Sequence, residues 1–390
     1  MILESLLYEW ISLFLRWAHV IAALAWIGAS FYLISWENKF NRVKNLRTGV
    51  EGDFWTIQGG DFYFVEKLKG APVKIPDELH WFKYEAYLTW LSGFALLTIY
   101  YYANASQMML APQSPLQAPT QAIVASISSL VMVWLLYALY CRTPLARNLQ
   151  FSALFGLVCI CLLSWLYCYL FNGRAAFLHL GAAMATVMSA NVFFSIIPWH
   201  KRLLKAMKDK SPLDGVYASH PGFRSRHNHY MTLPVLFLML AAHAPFASNG
   251  PYNWLIATLL VVSAGLLKHF HSCLQKQQAW GVYLAAGLVV FGFAIVLSAS
   301  EDTRQRHCGA PVAFSSLAEM IDRRCSACHT GGNNESGVLL GTPAQVRAVG
   351  DRINARVVLQ KSMPVANASG MLDHERDMLA CWLEQAPELP

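Results

Sequence analysis

Charge is what this chain has least of. Only 14% of its 390 residues are Asp, Glu, Lys or Arg, against about 25% in an ordinary soluble domain. A chain this poor in charge, and 55% hydrophobic, is not water-soluble along its whole length. The deficit is uneven. Long apolar runs fill residues 1–300, whereas 301–390 has the mixed composition of a small soluble domain. The net charge of +7 belongs to the apolar part, in loops between hydrophobic segments, and gives no argument for nucleic acid as a partner. Nor do the nine cysteines form a disulfide scaffold. Cys159, Cys161 and Cys168 lie inside an apolar run, where cysteine serves as a small hydrophobe. The first residues lack a basic n-region and a small-residue cleavage site, so the first apolar segment is expected to remain as an anchor. There is no internal repeat and no low-complexity tract.

What is present is apolar length. A helix crosses a bilayer core with about 20 apolar residues. Candidate spans are 10–34, 83–103, 120–140, 151–171, 175–197, 230–247, 252–270 and 280–299, eight in all. Lys and Arg concentrate in the loops after the first, third, fifth and seventh spans. The N-terminal tail and the alternate loops hold only Arg174. The positive-inside rule then makes the basic loops cytoplasmic. Both ends of the chain fall on the opposite side, the periplasmic face of a bacterial inner membrane. The segment 37–80 carries Phe54, Trp55, Phe62, Tyr63 and Phe64 around Gly59-Gly60. It is too aromatic for disorder and is expected to pack on the cytoplasmic face.

The tail carries the most specific signal, Cys325-Ser326-Ala327-Cys328-His329. This C-x-x-C-H run is the attachment sequence of a c-type haem: two thiols for the vinyl groups and an adjacent imidazole for the iron. A redox or metal-binding C-x-x-C is the alternative. After a linker at 301–310, residues 311–390 fit a small class I-like mono-haem cytochrome c. The expected order is a helix at 314–324, the haem motif, a polar Gly-rich loop from Thr330 to Ser336, helical periodicity at 343–350 and 352–360, and a final helix from Asp373 to Gln385. Met363, in Lys361-Ser362-Met363-Pro364, is the expected sixth ligand, because thioether ligation is usual in such domains. Met371 is second choice, while Met320 and Met378 are expected to pack. Trp382 is expected against the haem or the first tail helix. Cys308 and Cys381 flank the motif and are either a disulfide of an oxidising compartment or two unrelated thiols.

Ionisable groups inside spans default to functional hypotheses. His19, His179 and His243 fall in the outer half. Arg16, His19 and Trp26 share one face of the first span, a wall suited to a b-type haem with Arg16 near a propionate. His19 and His179 are the first pair to consider as its ligands. The alternative for each histidine is one interhelical hydrogen bond. At the inner level lie His200, His220, His227, His229, His269 and His271, with Asn228 and Asn191. They read as a polar substrate site, a metal site or simple interfacial anchoring. Lys83 and Glu85 enter the second span, where snorkelling accounts for Lys83.

Several runs together resemble the bacterial membrane-bound urate hydroxylases, or cytochrome c-coupled urate oxidases. They are Leu15-Arg16-Trp17-Ala18-His19-Val20-Ile21 through Ala25-Trp26-Ile27-Gly28-Ala29-Ser30-Phe31-Tyr32, Leu79-His80-Trp81-Phe82-Lys83-Tyr84-Glu85 with Thr89-Trp90-Leu91-Ser92-Gly93-Phe94-Ala95, Asn191-Val192-Phe193-Phe194 with Ile196-Ile197-Pro198, and His227-Asn228-His229-Tyr230 through Phe237. The resemblance covers nearly the whole chain and includes the Cys-x-x-Cys-His and Met-Pro of the tail. It implies oxidation of urate to 5-hydroxyisourate, with electrons leaving through haem c to a soluble cytochrome c or a terminal oxidase. It transfers no catalytic residues. His227, His229, His269, Asn191, Lys83 and Glu85 are the candidates from chemistry alone. The alternative is a non-enzymatic membrane cytochrome relaying quinol electrons to a soluble cytochrome c.

Overall fold

The structure is a computed structural model that describes residues 2–42, 46–70, 72, 75–76, 78–111, 114–213, 221–299, 308, 312–329, 337–359, 361–367 and 369–385. Among these, six helices are long and apolar enough to cross a membrane. They form on runs of apolar residues with polar groups at the ends. Asn148 Oδ1 accepts from the amides of Gln150 and Phe151 and caps Leu149–Leu170 (α4), satisfying donors that a helix start leaves open. Asn172 does the same for Gly173–Asn191 (α5) through the Ala175 amide. The other long helices are Ile2–Lys39 (α1), Pro119–Tyr140 (α3), Asn253–Gln275 (α8) and Gly281–Ala299 (α9). The expected spans at 83–103 and 230–247 appear as two further helices. Tyr84–Leu97 (α2) continues into a π turn at Thr98–Tyr102, and Gly222–Ala241 (α7) starts earlier and stops short of Pro245. A second π turn, Val192–Ile196, joins α5 to Ile197–Lys208 (α6). Pro198 has no N–H to return to the preceding turn, and the wide turn lies just ahead of it.

Burial sorts these helices. Half of the most apolar stretch of α5 and α8 is inside the protein (56% and 50%), but only 6–17% of that of α1, α3, α4 and α9. α5 packs on α2, α3, α4 and α7; α8 packs on α4, α7 and α9. The core between them is built on Tyr167, Phe171, Phe177, Leu180 and Leu238. Ala175, Ala183 and Ala257 are small enough for close helix approach. Gly173 is obligatory at its place: a Cβ there would lie 1.7 Å from the Ser248 carbonyl oxygen. The outer faces leave Phe14, Leu24, Val124, Leu162 and Val289 more than 60% exposed. A soluble protein does not carry apolar surface on that scale; lipid would cover it.

The segment after α1 is not helical, which corrects the expectation of a wholly α-helical chain. Val50–Gln58 (β1) and Asp61–Leu68 (β2) form an antiparallel hairpin in register from Gln58↔Asp61 to Val50↔Leu68. Gly59 and Gly60 make the two-residue turn with φ of +63° and +96°, the backbone that tight hairpins need and that glycine adopts without strain. The hairpin docks on the end of α1 through Trp36, Phe40 and Phe54. A charged lattice of Glu37, Arg42, Glu51 and Lys67 covers the joint.

The tail is a separate helical cluster. Phe314–Arg324 (α10) and Asp373–Gln385 (α11) enclose Leu317, Met320, Val346, Met371, Leu379 and Trp382. Trp382 meets Phe314 on α10, ring centroids 5.4 Å apart. Thr342 and Gln345 form a reciprocal capping box at the start of Pro343–Ala348. Cys308 and Cys381 are disulfide-bonded, which resolves the open choice for that pair. The linker other than Cys308, and the loop from Thr330 to Ser336, lie outside the described residues. Asn249 Nδ2 donates to the Lys361 carbonyl (3.1 Å), and the turn Val365–Asn367 packs on the short helix Ala105–Met108. The tail therefore rests on the bundle near the N-terminal end of α8.

Candidate functional site

The first centre is in the tail. Cys325 closes α10 and Cys328 and His329 follow in the single turn Ser326–His329. His329 Nδ1 donates to the Val338 carbonyl (3.1 Å). A histidine that ligates a metal usually spends its other ring nitrogen this way. Burial pushes the Cys325 thiol up to about 11. Redox-active C-x-x-C motifs instead depend on a lowered thiol pKa. Cys325 packs against the tail core and Cys328 is exposed.

Met363 is half-buried, while Met371 and Met320 are inside the tail core. The Met363 backbone is fixed at both ends. Its amide donates to the Arg356 carbonyl (3.1 Å), and its carbonyl accepts from Arg376 Nη1 (2.7 Å). The buried Arg376 also reaches the Val357 carbonyl (2.5 Å) and Asn367 Oδ1 (3.1 Å). Arg324, next to Cys325, is clamped by both oxygens of Glu375 (3.1 and 3.0 Å) and bonds the Ser369 carbonyl. Desolvation opposes charge on Glu375, but the Leu372 amide and the Arg324 guanidinium outweigh it and hold the carboxyl below the usual carboxylate range. The residues present fit a haem c: two thiols, an oriented imidazole and a thioether on a pinned loop.

The outer membrane histidines divide. His19 Nδ1 donates to the Thr89 carbonyl (3.1 Å) and lies 3.0 Å from Ser92 Oγ. Its ring covers Gly93, where a Cβ would come within 2.9 Å of Cε1. This is the His329 arrangement again and fits one axial ligand. Arg16 lies over the Tyr100 ring at 5.7 Å. His179 does not fit. Its Nδ1 donates to the Ala175 carbonyl (2.7 Å) and its Nε2 accepts from Ser126 Oγ (2.6 Å), so both nitrogens are committed. It is fully buried against Phe171. His243 Nδ1 accepts from Arg174 (3.3 Å).

Among the inner residues most are likewise satisfied. Asn191 donates to Asn228 Oδ1 (2.8 Å) and to the Tyr137 hydroxyl (3.1 Å), and accepts from Arg224 (2.9 Å). The Tyr137 hydroxyl bonds His227 Nδ1 (2.9 Å), and the Tyr230 hydroxyl bonds His269 Nδ1 (2.6 Å). Lys83 sits over the rings of Trp81 (5.2 Å) and Tyr84 (4.8 Å). His200 lies beside Trp81 and Trp199, while His220 is outside the described residues. Glu85 has a buried Oε2 with no hydrogen-bond partner.

Several unpartnered groups come together where α1, α7 and α8 meet. His229 is 4% exposed, and neither ring nitrogen has a hydrogen-bond partner. Lys268 is 0% exposed, and its ammonium has no partner other than the face of Phe31, 3.0 Å from the ring centroid. His271 Nδ1 is also buried without a partner, and the rings of His229 and His271 lie 6.0 and 5.5 Å from Phe31. Lys268 and Phe31 were not among the sequence candidates. Lysine near the end of an apolar run reads as an interfacial charge. The available signal was the spacing of Lys268 and His271, which places both on one face of a helix. Among the described residues no three His, Cys, Asp or Glu side chains converge as a metal site.

The model of the urate oxidase N-terminal family matches residues 5–299. The chain belongs to the urate oxidase N-terminal family. No curated protein and no solved structure matches it. The matched region includes Phe31, His229, Lys268 and His271 and ends before the tail, so Cys325, Cys328, His329 and Met363 lie outside it. Membership of the urate oxidase N-terminal family points to a urate-related oxidoreductase.

Proposed function

We propose that the protein is a membrane-bound urate hydroxylase that converts urate to 5-hydroxyisourate and passes the electrons to a soluble cytochrome c or a terminal oxidase. The observation that carries this reading is the joining, in one chain, of a urate oxidase N-terminal region to a tail with a haem c attachment sequence. In balance, urate and water give 5-hydroxyisourate, two protons and two electrons. Cys325, Cys328, His329 and Met363 would hold a haem c, which would supply one-electron acceptance. His19 would hold a membrane haem b that shortens the electron path. Arg376 and the Arg324–Glu375 clamp keep the ligand-bearing segments in place. In this reading the chain crosses the bacterial inner membrane eight times, with both ends and the cytochrome domain periplasmic.

The test is spectroscopic. Urate added anaerobically to membranes holding the oxidised protein is expected to reduce the haem. Reduction by quinol alone would leave the reading without support and favour a non-enzymatic relay.

A further inference from the structure

We infer that the buried group of Lys268, His229 and His271 around Phe31 is the site that binds the purine substrate as an anion. The inference rests on the urate reading above and assigns residues to it.

An ammonium that is 0% exposed and lacks a hydrogen-bond partner is held at a cost of several kcal/mol. Buried charges are normally paired or hydrogen-bonded. The tail obeys that rule at Arg324 and Arg376. Lys268 does not, and its neighbours do not relieve it. His229 has both nitrogens unpartnered and His271 has Nδ1 unpartnered. These unsatisfied atoms come from α7 and α8, and the ring they surround comes from α1. Every one can donate a hydrogen bond in some protonation state, and no carboxylate stands among them as a hydrogen-bond partner. A set that is rich in potential donors, holds a cation and has no carboxylate to balance it asks for an anion with several acceptor atoms.

Phe31 lies against the same set. Its π face, 3.0 Å from the Lys268 ammonium, supplies a weak negative partner. The same ring offers a flat apolar surface to a flat ligand. A urate monoanion has the negative charge, the carbonyl oxygens and the planarity that these residues address.

The experiment uses full-length protein in nanodiscs with its haem pre-reduced, so that bound urate cannot turn over. Radiolabelled urate binding and the urate-induced rise in melting temperature are measured for wild type, Lys268→Met and His229→Gln. Wild type is expected to bind urate and to prefer it to neutral hypoxanthine. Lys268→Met is expected to bind urate at least ten-fold more weakly, to lose that preference, and to melt without ligand no lower than wild type. A lysine needed only for packing on Phe31 would give the opposite: a lower melting temperature with binding retained. Urate affinity within two-fold of wild type in Lys268→Met overturns the assignment. If that variant does not accumulate, His229→Gln decides by the same criterion. Urate bound through Lys268 in a protein whose haem it does not reduce would sink the hydroxylase reading and leave this site standing. Haem reduction by urate with an unchanged KM in Lys268→Met would do the reverse.

Discussion

The tail and the membrane bundle treat buried charge in opposite ways. In the tail, Arg324 and Arg376 are each bonded several times, to a carboxylate or to carbonyls. In the bundle, Lys268 is more deeply buried and meets only a phenyl ring. A satisfied ion is architecture, since it fixes which segments sit together. An unsatisfied one is stable only if the surrounding fold compensates for it. The same division runs through the histidines. His179 uses both nitrogens, His19 uses Nδ1 to set its ring, and His229 uses neither.

Four further variants and one titration sharpen that contrast. The largest effect is expected from Cys325→Ser with Cys328→Ser: covalent haem staining of the protein on a denaturing gel is lost, while membrane insertion is unchanged. Next, Glu375→Ala leaves Arg324 without its carboxylate and is expected to destabilise the tail by about 3 kcal/mol, seen as an earlier transition in calorimetry. Set beside a Lys268→Met variant that melts no lower, this would establish that one ion is paired and the other is not. Acid makes the same point by titration. Glu375 is depressed in the folded state, so its contribution is fully present above the unfolded value near ~4.3 and fades as pH falls through the folded one. The tail transition should move down in temperature only below about pH 4. Ser126→Ala strands His179 Nε2 and the Tyr102 hydroxyl, for an expected loss of about 2 kcal/mol in thermal unfolding of the bundle. The smallest effect is Thr342→Ala, which removes a helix cap on the tail surface and costs about 1 kcal/mol.

Much of this was legible in the chain itself. Long apolar runs gave helices, because nothing else satisfies the backbone in an apolar surrounding. Met320 was expected to pack and is fully buried. The hairpin was missed although Phe54 to Ile57 and Phe62 to Val65 are β-formers on either side of Gly59-Gly60. The turn signal is the two-glycine pair itself, with both residues at positive φ. The hydrogen bonds of His179 could not be read from spacing: its partners come from Ser126 on another helix and from its own preceding turn. Lys268 failed as a candidate because burial is a tertiary property. The letter K beside two histidines is the same whether it faces water or Phe31.

Asn249 holds the carbonyl of Lys361, two residues before Met363, and the turn just beyond Met363 lies on the helix at Ala105–Met108. The thioether segment is thus docked like a plug on its socket. Lifting the tail away from the bundle would therefore break bonds made by the same stretch of chain that carries Met363.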